Sequence, residues 1–242
     1  MAIDKIPDQN YRAVYDGFSL DDQYKQLAGD PNGQINACVE CCDRHAGHNK
    51  VALNWESLSG ESRSYTFDEL QSLSARVANV LVAQGVAPGD RVAGLLPRIP
   101  ELVVFILGAW RAGAVYQPLF TAFGPKAIEH RLKTSRSKLI VTDGANRSKL
   151  DELDVSPIIT SIDGHSADID FHAALESASD NFEPIMRNGD DAFLMMTTSG
   201  TTGLPKGLRI PLRGLAGIRG YMLWALDVCE TDVFWNIADP GW

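Results

Sequence analysis

An α/β fold with a mostly parallel sheet is predicted by three observations. Short apolar runs alternate with longer segments of helical period from residue 51 onward. Helix starts and stops are marked by local signals, among them Thr66-x-x-Glu69, Gly85 and Pro125. The alternation is that of right-handed βαβ units, which bury a parallel sheet between helices.

The elements follow in order. Residues 1–34, with Gly29-Asp30-Pro31-Asn32-Gly33, read as an extended leader, and 35–44 as the first solid helix. Strands are expected at 51–55 and 64–67. Thr66 and Glu69 then form a capping box for a helix whose apolar positions Leu70, Leu73, Val77, Val80 and Leu81 keep helical spacing until Gly85. A strand at 91–96, a helix at 101–112 and a strand at 114–118 come next. Pro125 sits in the first turn of a helix over 125–134, since its missing N–H costs nothing there. A strand at 138–142, a short helix at 149–153 and a strand at 157–162 complete the first run. Residues 179–189 bridge to an apolar strand at 192–196, a loop, and a helix at 212–226. The apolar run 233–237 is strand-like and has nothing after it to complete a turn or helix, so the chain reads as part of a longer one, with apolar surface exposed around 233–242.

The chain has 242 residues, 45% of them hydrophobic, enough to bury a sizeable core. Its net charge of −9 argues against nucleic acid or an anionic membrane as partner. Four basic residues, Lys206, Arg209, Arg213 and Arg219, fall within 192–226 with no acidic residue among them, so this region is locally positive. The opening residues 1–10 are polar, and no apolar run approaches the ~20 residues of a membrane span. A cytoplasmic location is the resulting expectation. Cys38, Cys41, Cys42, His45 and His48 raise the question of zinc. On a helix, however, Cys38 meets Cys41 or Cys42 on one buried face, where free thiols act as small hydrophobes, and no metal is assigned.

Chemistry concentrates in residues 197–207, Thr-Thr-Ser-Gly-Thr-Thr-Gly-Leu-Pro-Lys-Gly. Gly200, Gly203 and Gly207 admit positive φ and close backbone approach, so amide N–H groups can converge on an anion. Thr198, Ser199, Thr201 and Thr202 add hydroxyl donors, and Lys206 a compact positive charge. A Walker loop requires Gly before its lysine and Ser or Thr after it; Pro205 and Gly207 occupy those places. Gly-x-Ser-x-Gly, His-Glu-x-x-His and Gly-x-Gly-x-x-Gly are also absent from the sequence.

Ser199-Gly-Thr-Thr-Gly-x-Pro-Lys-Gly resembles the signature of the adenylate-forming, AMP-binding superfamily, which includes acyl-CoA synthetases, luciferases and peptide-synthetase adenylation domains. Residues 65–70 (Tyr-Thr-Phe-Asp-Glu-Leu), 85–97, 108–118 (Gly-Ala-Trp-Arg-Ala-Gly-Ala-Val-Tyr-Gln-Pro) and 238–242 (Ala-Asp-Pro-Gly-Trp) are similar to family landmarks, in family order. The segment 121–128 and the closing 238–242 look most like the acetyl-CoA and medium-chain acyl-CoA synthetase branch. The resemblance covers 35–242. It implies an incomplete AMP-binding domain, with a first α/β subdomain to about 185 and the start of a second from about 190.

It also implies a reaction: a short- or medium-chain carboxylate attacks ATP with loss of pyrophosphate, and the acyl-adenylate passes to coenzyme A, with Mg2+ accompanying ATP. Thr198, Ser199, Gly200, Thr201, Thr202, Gly203 and Lys206 would embrace the β- and γ-phosphates, Lys206 as the catalytic stabiliser. Asp239 and Trp242 would wall the acyl pocket. Arg147 and Lys149 lie where relatives set basic residues against the phosphates of coenzyme A, or are solvated charges. Where many relatives carry Thr-His after the lysine, this chain has Ile210-Pro211-Leu212-Arg213. The Tyr-Gly-x-Thr-Glu segment, the ribose-binding Asp and the C-terminal Lys have no counterpart here, so the chain alone is expected to be inert, its missing C-terminal half being its partner. Two other readings stay open: a non-catalytic phosphate-binding or interaction module, and an amino-acid-activating adenylation domain.

Overall fold

The computed structural model describes residues 11–198 and 205–241. Seven strands form one sheet in the order β7-β6-β5-β3-β4-β8-β9, where β3 is Arg91–Leu95, β4 Val115–Pro118, β5 Leu139–Thr142, β6 Ile158–Ser161, β7 Ile169–Asp170, β8 Ala192–Thr198 and β9 Lys206–Pro211. Every pairing is parallel except β8 with β9. A separate antiparallel hairpin is made by β1 (Val51–Glu56) and β2 (Ser62–Thr66).

The period of two in the central strands decides what each side of the sheet buries. Val92, Leu139 and Val141 face one layer, built on α4 (Phe67–Ala83), α5 (Pro100–Arg111) and α8 (Phe171–Ser177). Their neighbours Ala93, Leu95 and Ile140 face the other, where Ile128 and Leu132 of α6 (Pro125–Ser135) are buried. Covered on both sides, β3 and β5 read as continuous apolar runs.

The first layer depends on a close helix crossing. A Cβ placed on Gly108 of α5 would lie 2.3 Å from Cβ of Val77 on α4 and 3.0 Å from the Ser74 carbonyl oxygen, so only glycine fits. Beside it, buried Arg111 donates from Nε to Ser74 Oγ at 2.9 Å and from Nη1 to the Phe182 carbonyl at 3.2 Å, and pairs with Asp43. The capping box is formed as expected: Glu69 N–H donates to Thr66 Oγ1 at 3.1 Å, and Thr66 N–H donates to the Glu69 carboxylate at 2.7 Å.

Several expectations differ from what is observed. The segment before residue 35 is not extended where it is described: α1 (Tyr11–Gly17) and α2 (Leu20–Tyr24) are helical. Contacts with α9 (Leu215–Trp224) hold α2 and the turn before it, as Phe18 packs edge-on to Trp224 at 5.3 Å and Arg219 donates to Gln23 Oε1 at 3.1 Å. The helix expected over 35–44 stops early. It is α3 (Ala37–Cys41), capped by the Asn36 side chain, and the backbone turns at Cys42 so that Asp43 can meet Arg111. The short helix foreseen at 149–153 lies earlier, as α7 (Gly144–Arg147), capped by Asp143, with a 3-10 turn at Ser148–Leu150. The region after the loop opens with strand β9 before any helix, and residues 233–237 are exposed and not in a strand.

Candidate active site

Strands β4 and β8 run parallel, with Tyr116 opposite Leu194, so both end at the same edge of the sheet. Ligands of open α/β sheets collect outside the carboxyl ends of such strands. Strand β8 is driven there by buried Phe193 and Met195, and Trp110 of α5 donates from Nε1 to the Phe193 carbonyl at 2.9 Å.

At that edge β8 turns back into β9. Thr198 and Lys206 are cross-strand partners at the open end of the hairpin, both exposed. They bracket the glycine- and threonine-rich loop. Ser199, Gly200, Thr201, Thr202 and Gly203 lie outside the described residues, as does Trp242. The exit of the loop is tied to α6, where His130 Nε2 lies 2.9 Å from the Pro205 carbonyl oxygen.

Asp239 reaches the same edge by another route. Its carboxylate accepts from Gly241 N–H at 2.7 Å, closing a turn. A Cβ on Gly241 would lie 2.4 Å from Phe120 N and 2.5 Å from the Leu119 carbonyl oxygen, so the turn rests directly on backbone just past β4. Burial raises the Tyr116 phenol above its ordinary value, and the Asp239 carboxylate adds to the rise.

The positive patch is thinner than the sequence suggests. Arg213 pairs with Asp190 at 2.8 Å and Arg219 is turned toward Gln23, leaving Lys206 and Arg209 without an ion pair among the described residues. Arg147 and Lys149 are engaged in holding loops. Arg147 donates to the Ser166 carbonyl at 2.7 Å and to Asp151 at 2.6 Å, and Lys149 to Asn146 Oδ1 at 2.7 Å and to the Thr121 carbonyl. Cys38 and Cys42 are buried, as a core face requires, while Cys41 is exposed. Among the described residues no group of three His, Cys, Asp or Glu side chains is placed to hold a metal. Likewise, no described helix is long and apolar enough to cross a membrane.

Sequence reasoning missed His130 and the relation of Asp239 to Tyr116. No spacing signal marks either, because a hydrogen bond in the first case and an electrostatic influence in the second join residues far apart in the chain.

The family model described as AMP-binding enzyme matches residues 40–242. The chain belongs to the AMP-binding enzyme family. Within this family, it is 35% identical to an acetyl-coenzyme A synthetase of Bacillus subtilis (strain 168), over 97% of this chain and 42% of the relative. An acetyl-coenzyme A synthetase of Pseudoalteromonas translucida is 34% identical, over 87% of this chain and 37% of the relative. A crystal structure of a Brucella canis acyl-CoA synthetase superposes with a TM-score of 0.93 at 51% identity, covering 97% of this chain and 44% of that one. The chain thus spans about two fifths of the length of these AMP-binding relatives, and its mixed seven-stranded sheet is that of the matching part of the synthetase structure.

Proposed function

We propose that this chain is the N-terminal part of an acyl-CoA synthetase that activates a short- or medium-chain carboxylate with ATP. The observation that carries the reading is the placement of Thr198 and Lys206 as partners at the mouth of the glycine-rich hairpin, at the carboxyl edge of the sheet. A carboxylate oxygen bonds to the α-phosphorus as the bond to pyrophosphate breaks, and negative charge grows on the leaving group. Transfer of this kind needs its groups held in line and their charge stabilised more than it needs covalent help. Lys206 stabilises that charge, and the hydroxyls and amides of 198–203 hold the polyphosphate. In the second step the coenzyme A sulfur bonds to the acyl carbon and AMP leaves.

Asp239, fixed by Gly241 N–H, and Trp242 wall the acyl pocket in this reading. Mg2+ travels with ATP. Among the described residues no group of three His, Cys, Asp or Glu side chains is placed to hold it. No step is therefore assigned to the metal. We place the start of a second subdomain at about residue 190. A reaction consuming ATP and coenzyme A also fits the cytoplasmic expectation.

The test is carboxylate-dependent exchange of labelled pyrophosphate into ATP by the full-length protein, with a panel of acetate, propionate, hexanoate and amino acids. Exchange with the aliphatic acids supports the reading. Exchange with an amino acid alone would make this an amino-acid-activating domain, and ATP binding without exchange a non-catalytic module. The 242-residue chain by itself is expected to give no exchange.

A further inference from the structure

We propose that His130 is a positioning residue for the phosphate loop, latching the loop's exit so that Lys206 is presented in a fixed place. The inference rests on the adenylation reading above. A carbonyl oxygen can only accept, so the 2.9 Å contact requires His130 to carry its proton on Nε2 and donate it to Pro205. That carbonyl belongs to the peptide joining Pro205 to Lys206, and the planarity of the peptide passes the restraint to the Lys206 backbone. On its other side, Lys206 is held by pairing with Thr198. Two independent restraints therefore flank the lysine.

The helix that carries His130 is a rigid anchor. Ile128 and Leu132 of α6 are buried in the core, and Thr134, one turn beyond His130, donates from Oγ1 to the His130 carbonyl at 2.7 Å. The same face of α6 meets β9: a Cβ on Gly207 would lie 3.3 Å from Thr134 Cγ2 and 2.5 Å from Met195 Cε. Gly207 thus lets helix and strand approach closely enough for the latch to form. His130 faces a backbone carbonyl, so its part is placement of the loop and not proton transfer.

The test compares wild type, His130→Ala and His130→Gln in the full-length protein, the Gln amide reaching the position of Nε2. Three rates are measured: pyrophosphate exchange against ATP concentration, thioester formation from a preformed acyl-adenylate, and trypsin cleavage after Lys206. His130→Ala is expected to raise KM for ATP in exchange and to speed cleavage after Lys206, each about tenfold, the scale of one lost hydrogen bond. His130→Gln is expected to restore both to within about twofold, and thioester formation to stay within about twofold in either variant. Unchanged exchange and cleavage in His130→Ala overturn the proposal, as does a Gln variant as impaired as Ala. If the wild type shows no exchange while cleavage follows this pattern, the latch stands and the synthetase reading fails. If exchange is present and neither rate moves, the reading stands and the latch fails.

Discussion

Thr198 and Lys206 face one another across the β8–β9 ladder, at the end of the stem where strand β8 stops and strand β9 begins. That pairing fixes the two points that the glycine- and threonine-rich segment joins. On the adenylation reading, fixing those two points in advance lowers the ordering cost of binding a polyanion.

Lys206→Ala in the full-length protein is expected to lower kcat/KM for pyrophosphate exchange about a hundredfold or more, the scale of removing one stabiliser of developing charge. Because Lys206 is exposed, the thermal midpoint should move by no more than about 2 °C. Activity and stability measured on one preparation separate the two.

Gly108→Ala is expected to destabilise the fold by about 1–3 kcal/mol, since the new methyl would lie 2.3 Å from Val77 Cβ. Adding Val77→Ala removes only the Cγ1 contact at 2.4 Å and leaves the Cβ contact, so the double variant should regain little of that loss. Urea unfolding of the single and double variants measures the coupling.

Removing the Arg111 side chain strands a charge. Its partners are Ser74 of α4 and Asp43 in the turn after α3, and the Arg111 side chain is only 3% exposed. Arg111→Met should cost about 3–5 kcal/mol. Asp43→Asn in the same chain should return some of it, because the uncompensated carboxylate is then gone.

The start of α4 gives a pH-dependent contribution. Hydrogen bonds from the Thr66 backbone N–H, and then from its hydroxyl, hold the Glu69 carboxyl below the usual carboxylate range. A depressed carboxylate adds stability above its unfolded pKa of about 4.3 and loses it as pH falls through the lower folded value. Thr66→Ala should therefore cost about 1 kcal/mol near neutral pH. The gap from wild type should narrow as the solution is taken below pH ~4.

What was legible in the sequence was what local chemistry settles. Helix α4 announced itself through Thr66, Glu69 and Gly85, and β3, β5 and β6 through apolar runs bounded by turn residues, because burial on both faces leaves no other pattern. From its glycines, hydroxyls and lysine the sequence also proposes a phosphate cradle at 197–207. Strand β9 was not legible. Lys206, Gly207, Leu208 and Arg209 are exposed, and Gly207 and Pro211 are poor strand formers, so it owes its form to pairing with β8. Helix α2 escaped for a related reason, since tertiary contacts to α9 hold it. Cys42 leaves the helix because Asp43 answers a buried arginine 68 positions away. His130 carries no signal at all until the fold sets it beside Pro205.

The most direct measurement is pyrophosphate exchange into ATP by the full-length protein in the presence of acetate or a medium-chain fatty acid. Exchange that depends on the carboxylate and falls about a hundredfold in Lys206→Ala is the predicted result. Absence of exchange with every carboxylate tested, or exchange indifferent to Lys206, would contradict the assignment of this hairpin as an adenylation loop.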